Sequence, residues 1–240
     1  MEQLKSLGST ILFTDILGFA YDTRNSTIQF EGMFKQLDLF GLVKNLSSKY
    51  VNVVSFAFSD TVVAVSDDNQ QVFDFANELF RQAWDKNILL RGAIASGSFY
   101  DLSNSPSLTN APKNFINMPI IGDGYTKAAR MEKSIKGCRL FIDLAINIPL
   151  SHLNNIRHLE NNEEPYAEYI WWNPNDQGIC YNKVTVTTLE IEQLKQGQIQ
   201  TRGSLKSYFD KIKDAETSYE IDSLGKRLEH LHKTLETMSK

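Results

Sequence analysis

The chain has 240 residues, a net charge of −4, 42% hydrophobic residues and 22% charged residues. That balance supports a buried core, argues against a disordered chain, and runs against broad binding to a nucleic-acid backbone. Two cysteines, Cys138 and Cys180, exclude a disulfide-rich scaffold and a Cys-based zinc site. No apolar run reaches the roughly 18 residues that cross a bilayer. The stretch Ile11-Leu12-Phe13 is too short for a signal peptide and soon meets Asp15. A cytoplasmic protein without membrane contact is the expectation.

Ser9 to Ile16 reads as a buried strand. Phe30, Phe34, Leu37 and Phe40 have helical spacing and predict a helix over 26–48. Tyr50 to Phe58 and Thr61 to Val65 are rich in β-branched and aromatic residues. A tight turn at Ser59-Asp60 makes them a hairpin. Val72, Phe73, Ala76, Leu79, Phe80, Ala83 and Trp84 lie on one helical face. Leu89 to Ser98 is a further strand. Asp101 to Pro119 holds three prolines and four asparagines and reads as a long loop. Gly122 opens a helix to about Ile135, and Arg139 to Asp143 is another strand. Tyr166 to Trp172 is an aromatic-rich strand candidate.

This order predicts an α+β fold with a βαββαβ, ferredoxin-like core and helices packed on one face of the sheet. The core spans 1–145, a less regular remainder 146–214, and an amphipathic C-terminal helix 215–240. In that last segment Ile221, Leu224, Leu228, Leu231, Leu235 and Met238 form a heptad-like seam. The seam suits a helix docked on its own domain or one packed against a partner subunit.

Three segments carry chemistry. In the first, Phe13 to Phe19, a strand delivers Asp15 and a turn at Gly18 follows. Such a turn exposes amides suited to phosphate, and Asp15 with the Ile16 carbonyl suits a hard cation. In the second, Asp60 sits between two hydrophobic strands. Either aspartate alone is an ordinary turn or cap residue. The first and second strands of a βαββ unit are expected side by side, which would bring both carboxylates to one sheet edge. Two such carboxylates can hold two Mg2+ or Mn2+ ions about 3.5–4 Å apart around a phosphate. In the third, Gly122 to Glu132, Arg130 stands one helical turn beyond Thr126. An arginine so placed can stabilise a phosphoryl group, although an Arg beside a Glu is more often a solvated charge.

Together these segments resemble the class III nucleotidyl cyclases, the adenylate and guanylate cyclase catalytic domain. The family pattern F-x-D-x-x-G-F is matched by Phe13 to Phe19 and the G-D hairpin by Ser59-Asp60. The L-R-x-G-x-x-x-G strand is approximated by Leu90 to Gly97, and G-x-x-x-N-x-A-x-R by Gly122 to Arg130. The resemblance covers about residues 8–145 in the right order. It implies two divalent cations, Mn2+ or Mg2+, on Asp15, Asp60 and the Ile16 carbonyl. It also implies that amides around Leu17, Gly18 and Phe19 hold the β- and γ-phosphates, and that Arg130 acts at the α-phosphate across a head-to-tail homodimer with shared sites.

The departures from the pattern bear on the base. Family adenylate cyclases read adenine with a Lys four residues before the second aspartate and an Asp three residues before the helix glycine. Here those positions are Phe56 and Pro119, and the Glu and Cys used for guanine are missing. Phe lacks a polar group, so Phe56 would shrink the pocket or stack on a smaller base. Thr126 stands where the family usually has the Asn that orients ribose, and Ser59 stands where Gly is usual. Lys183 and Lys206 are the candidates for the phosphate-binding Lys.

The full pattern is similar to the bacterial pyrimidine cyclases of Pycsar anti-phage signalling. That similarity implies conversion of UTP, favoured over CTP, to the 3′,5′-cyclic mononucleotide, which would activate a separate effector. An adenylate or guanylate cyclase with an atypical base pocket is the nearest alternative. A catalytically inactive, nucleotide-binding cyclase-homology module is another. A diguanylate-type cyclase is discounted because its G-G-[DE]-[EF] hairpin is replaced by Phe58-Ser59-Asp60-Thr61.

Overall fold

The alternation of apolar side chains along the strands divides the protein into two cores, one on each face of a sheet. The computed structural model describes residues 5–17, 19, 29–86, 88–102, 120–134, 137–159 and 166–171. Within them run β1 (Lys5–Ile16), α1 (Gln29–Lys49), β2 (Val54–Phe58), β3 (Thr61–Ser66), α2 (Asn69–Asp85) and β4 (Leu90–Asp101). They are followed by β5 (Ile120–Ile121), α3 (Asp123–Ser134), β6 (Leu140–Asp143), a 3-10 turn (Leu150–Asn155), β7 (Ile156–Arg157) and β8 (Tyr166–Tyr169). Gly18, Lys183, Lys206, most of the expected loop 101–119 and the segment 215–240 lie outside the described residues.

The strand order is β2-β3-β1-β4-β6-β8-β7, with β5 pairing against β4. The pairs β1–β3, β1–β4 and β2–β3 are antiparallel. β4 and β6 are parallel, as a crossover through α3 requires. The expected adjacency of the first two strands is therefore corrected. β1 lies between β3 and β4, and β2 is one strand further out. A βαββ unit whose hairpin returns antiparallel brings its second hairpin strand, not its first, against β1.

Leu12, Val62, Ala64, Leu90, Ile94, Leu140 and Ile142 face one way and pack with α1 and α2. Ile11, Val63, Val65, Ala93, Ala95 and Phe141 face the other way and pack with Ala128 and Met131 of α3. The two helices of the βαββαβ core thus share one face, as expected, and α3, which follows that core, covers the other. The period of two makes this possible, because each strand offers an apolar row on each side.

α2 buries the face its spacing predicts, Val72 to Trp84. Asp68 caps it, its side chain accepting from the Gln71 amide at 3.2 Å. A cap of this kind is worth about 1 kcal/mol. In α1 the helix is as expected but its buried stripe is not. Leu39, Leu42, Val43 and Leu46 are buried, whereas Phe34 and Leu37 are more than 60% exposed.

The far side of the sheet is held by charge and aromatic packing. Glu168 of β8 is fully buried and accepts two hydrogen bonds from Arg139, at 2.7 and 2.8 Å, and another from Arg157. Trp171 is buried against Phe80 and Trp84. His152 has an acidic neighbour that its sequence spacing did not reveal. It lies between the Tyr169 hydroxyl at 2.7 Å and Asp74 at 2.9 Å. Among the described residues no helix is long and apolar enough to cross a membrane.

Candidate active site

Asp15 lies near the C-terminal end of β1, on the same face as Ile11 and Phe13 and thus on the α3 side of the sheet. Its register partners are Thr61 on β3 and Arg91 on β4. Asp60 sits in the turn that joins β2 to β3, immediately beyond the end of β1. The Asp60 carbonyl accepts from the Ile16 amide at 2.9 Å, which fixes the turn over that strand end. The Thr61 hydroxyl lies 3.4 Å from an Asp15 carboxylate oxygen. The two carboxylates expected to meet are therefore brought together, through the hairpin turn.

The turn itself is strained. Ser59 has φ +53°, the left-handed region that favours glycine. Its carbonyl accepts from the Gln36 amide of α1 at 2.8 Å, so the helix braces the turn.

Burial, then the neighbouring Asp60 carboxylate and Glu132, push the Asp15 carboxyl up to about 7. Two adjoining carboxylates repel each other when both are ionised, and a cation between them removes that penalty. The donors are all oxygens, which suits a hard divalent ion. Among the described residues no group of three or more His, Cys, Asp or Glu side chains is placed to share an ion. Two carboxylates fit an ion that takes its remaining ligands from backbone, water and substrate phosphate.

Behind Asp15, Arg91 forms an ion pair with Glu132 of α3. Burial pushes the Glu132 carboxyl up even though Arg91 pulls it down. The Thr14 hydroxyl donates to the Arg91 carbonyl at 2.8 Å and ties β1 to β4 at this level.

α3 can approach β4 closely because two glycines meet. A Cβ on Gly97 would lie 2.5 Å from the Gly124 backbone, and Gly97 has φ +149°. Asp123 opens the helix and accepts from the amides of Ser98, at 2.6 Å, and Gly124, at 3.0 Å. Hydrogen bonds from Ser98 hold its carboxyl below the usual range. Further along, buried Asp143 accepts from the Ser96 amide and hydroxyl and pairs with Lys127. Burial alone would raise Asp143, but Lys127 and Ser96 pull it below the usual range. Ser96 is thus a brace.

Thr126 and Arg130 are exposed and line a cleft of about 680 Å³ with Lys127, Met131, Asp143 and Tyr166. Asp15 and Asp60 are not among its lining residues. Within one chain, then, the aspartates do not share this cleft with Arg130. The Thr126 hydroxyl donates back to the Gly122 carbonyl at 3.2 Å.

Phe56 is half-buried on the α3 side, 5.8 Å between ring centroids from Phe99. Phe99 lies 6.2 Å from Tyr125, and Tyr125 lies 5.6 Å from Phe13. Phe56 is therefore one end of an aromatic row. Leu17 and Phe19 pack against the opposite core. The Leu17 amide donates to the Leu89 carbonyl at 2.9 Å, so it is already used within the fold. That narrows the expected phosphate-holding amides to those after Leu17.

Arg91, Glu132, Lys127 and Asp143 escaped the sequence reading as members of the site. Arg91, Lys127 and Glu132 stand inside the segments Leu90–Gly97 and Gly122–Glu132, but only the packing of α3 on the sheet gives them their partners.

Comparison with solved structures gives the frame for this geometry. The chain resembles the non-canonical dimeric guanylyl cyclase domain of the RhoGC fusion protein from the aquatic fungus Blastocladiella emersonii, at 17% identity and a TM-score of 0.50. The match covers 71% of this chain and 98% of that one. It also resembles a bacterial light-regulated adenylyl cyclase, at 12% identity and a TM-score of 0.50, covering 77% of this chain and 56% of that one. The fold matches that of class III nucleotidyl cyclase domains. At these identities the likeness is one of fold. No family model matches the sequence, and no curated protein matches it.

Proposed function

We propose that the protein is a pyrimidine nucleotidyl cyclase that converts UTP, or CTP, to the 3′,5′-cyclic mononucleotide. The observation that carries this reading is the meeting of Asp15 and Asp60 at one end of a cyclase-type sheet, with Arg130 held on a helix braced against the same sheet. Asp15, Asp60 and the Ile16 carbonyl are the residues that would hold two divalent cations, Mn2+ or Mg2+. Bound there, such ions lower the pKa of the ribose 3′-hydroxyl and offset the triphosphate charge.

The 3′-oxygen forms a bond to the α-phosphorus, and the bond from that phosphorus to the bridging oxygen of pyrophosphate breaks. The hydroxyl proton leaves to solvent. Amides after Leu17 bind the β- and γ-phosphates. Arg130 stabilises the charge that develops at the α-phosphate. Because Arg130 opens to a cleft that excludes Asp15 and Asp60, we assign this role to the Arg130 of a second copy in a head-to-tail homodimer.

Phe56 supports the pyrimidine assignment. It offers the base an aromatic surface and no side-chain hydrogen-bond partner of the kind that reads a purine. The product would act as a second messenger on a separate effector, in the manner of bacterial anti-phage signalling.

A second reading, an inactive nucleotide-binding module, draws on Thr126, whose hydroxyl is turned back into its own helix. Purified protein with Mn2+ and each of the four nucleoside triphosphates separates the readings. The pyrimidine cyclase yields cyclic UMP or cyclic CMP. Cyclic AMP or cyclic GMP as main product overturns the pyrimidine assignment. Background turnover equal to that of Asp60→Asn favours the module.

A further inference from the structure

Arg91 is in the wrong company for a metal site. It stands directly beside Asp15 in the β1–β4 register, and both residues belong to the α3 face. Cross-strand partners have Cβ atoms about 4.5–5.5 Å apart, so a guanidinium can reach a carboxylate there with ease. An Arg–Asp pair at this position would satisfy Asp15 with a fixed cation and leave less negative charge for a mobile one.

The structure shows a different pairing. Among the described residues the Arg91 guanidinium forms its ion pair with Glu132, while its charge still pulls the Asp15 carboxyl down against burial and Asp60. The side chains are 19% and 3% exposed, so the pair is shielded from water on the Glu132 side. Glu132 reaches Arg91 because α3 is seated close on β4 through the Gly97–Gly124 contact. Removing one partner of such a pair leaves the other charge in search of a replacement.

We propose that Glu132 is a positioning residue that diverts Arg91 from Asp15 and so keeps the Asp15 carboxylate available to a divalent cation. This inference rests on the metal-site reading of Asp15 and Asp60. Within the pair the two charges offset each other, and Lys133 acts on Glu132 from the same helix. The two aspartates retain the negative charge that attracts an ion. If Glu132 is removed, Arg91 turns to Asp15 and the site loses half of its charge.

The test is direct Mn2+ binding to the purified protein, read from the loss of the free-ion electron paramagnetic resonance signal. Circular dichroism confirms the fold of each variant. Glu132→Gln is expected to weaken Mn2+ binding about 10–100-fold, the range for residues that orient metal ligands. Arg91→Met is expected to bind at least as tightly as the wild type. The double variant Arg91→Met/Glu132→Gln is the decisive one. With no guanidinium left to divert, its affinity returns to within about threefold of the wild type, less than 1 kcal/mol.

Wild-type affinity in folded Glu132→Gln overturns the inference. So does a double variant as weak as Glu132→Gln, which would mean that the pair shapes the site in another way. If Glu132→Gln does not fold, the double variant decides alone, and a loss of tenfold or more overturns the proposal. Asp60→Asn separates this inference from the reading beneath it. If Asp60→Asn binds Mn2+ as the wild type does, the metal-site reading falls. If only Asp60→Asn loses binding, the metal site stands and the role of Glu132 falls.

Discussion

The backbone amide of Ile16 donates to the carbonyl of Asp60 at 2.9 Å, and this bond joins the end of β1 to the β2–β3 turn. It brings two carboxylates distant in sequence to one point although β1 pairs with β3 and not with β2. The cost is visible on both sides of the bond. Ser59 is held at φ +53°, and Asp15 is pushed up to about 7 by burial and by Asp60.

Ser59→Gly should relieve the backbone half of that cost. A non-glycine residue in the left-handed region costs roughly 1–2 kcal/mol. Glycine is also freer in the unfolded chain, so the expected net gain is about 0.5–1 kcal/mol. Urea denaturation measures it. A loss of stability would show that the Ser59 side chain contributes more than its conformation costs.

Gly97→Ala should do the reverse. Its Cβ would sit 2.5 Å from the Gly124 backbone, and the residue is held at φ +149°. Overpacking of this kind costs about 1–3 kcal/mol. The melting temperature should fall, and activity should fall further than stability because α3 carries Arg130, to which we assign the α-phosphate. Unchanged activity in a destabilised variant would separate α3 seating from function.

Acid should weaken the fold through His152. Burial lowers its pKa below 6.5, against the opposing pull of Asp74. The unfolded chain therefore takes up the proton first as pH falls. Stability from this group is full above about pH 6.5 and declines below it, towards the lowered folded value. Melting temperatures between pH 8 and pH 5 should show the decline, and His152→Gln should flatten it from a lower starting stability. An equally steep decline in His152→Gln would place the acid sensitivity elsewhere.

Much of this was legible in the chain, for identifiable reasons. α2 follows from a spacing that repeats over several turns, and all seven predicted residues are buried, with Phe75 added to them. Asp15 and Asp60 stand out because a carboxylate between apolar strands has little reason to be there unless it turns or binds. What periodicity could not supply was long-range pairing. α1 shows apolar residues on two sides, and nothing local tells Leu39 and Leu42 from Phe34 and Leu37. The place of α3 on the opposite face, and with it the Arg91–Glu132 and Lys127–Asp143 pairs, depends on the parallel crossover from β4 to β6.

The proposed head-to-tail homodimer with shared sites makes its own prediction. Asp15→Ala and Arg130→Ala proteins should each be inactive alone. Mixed under conditions of verified subunit exchange, they should regain about a quarter of wild-type activity per dimer site, since half the dimers are mixed and each holds one intact site. No recovery would place Arg130 in the site of its own chain or outside the reaction.

The most direct measurement is competitive. Equal amounts of ATP, GTP, CTP and UTP are incubated with Mn2+ and either wild-type or Asp60→Asn protein, and cyclic products and pyrophosphate are quantified together. A pyrimidine cyclase yields a cyclic pyrimidine nucleotide as the main product, formed in equal amount with pyrophosphate, and neither product from Asp60→Asn. Pyrophosphate without cyclic nucleotide, or equal turnover by the two proteins, would contradict that assignment.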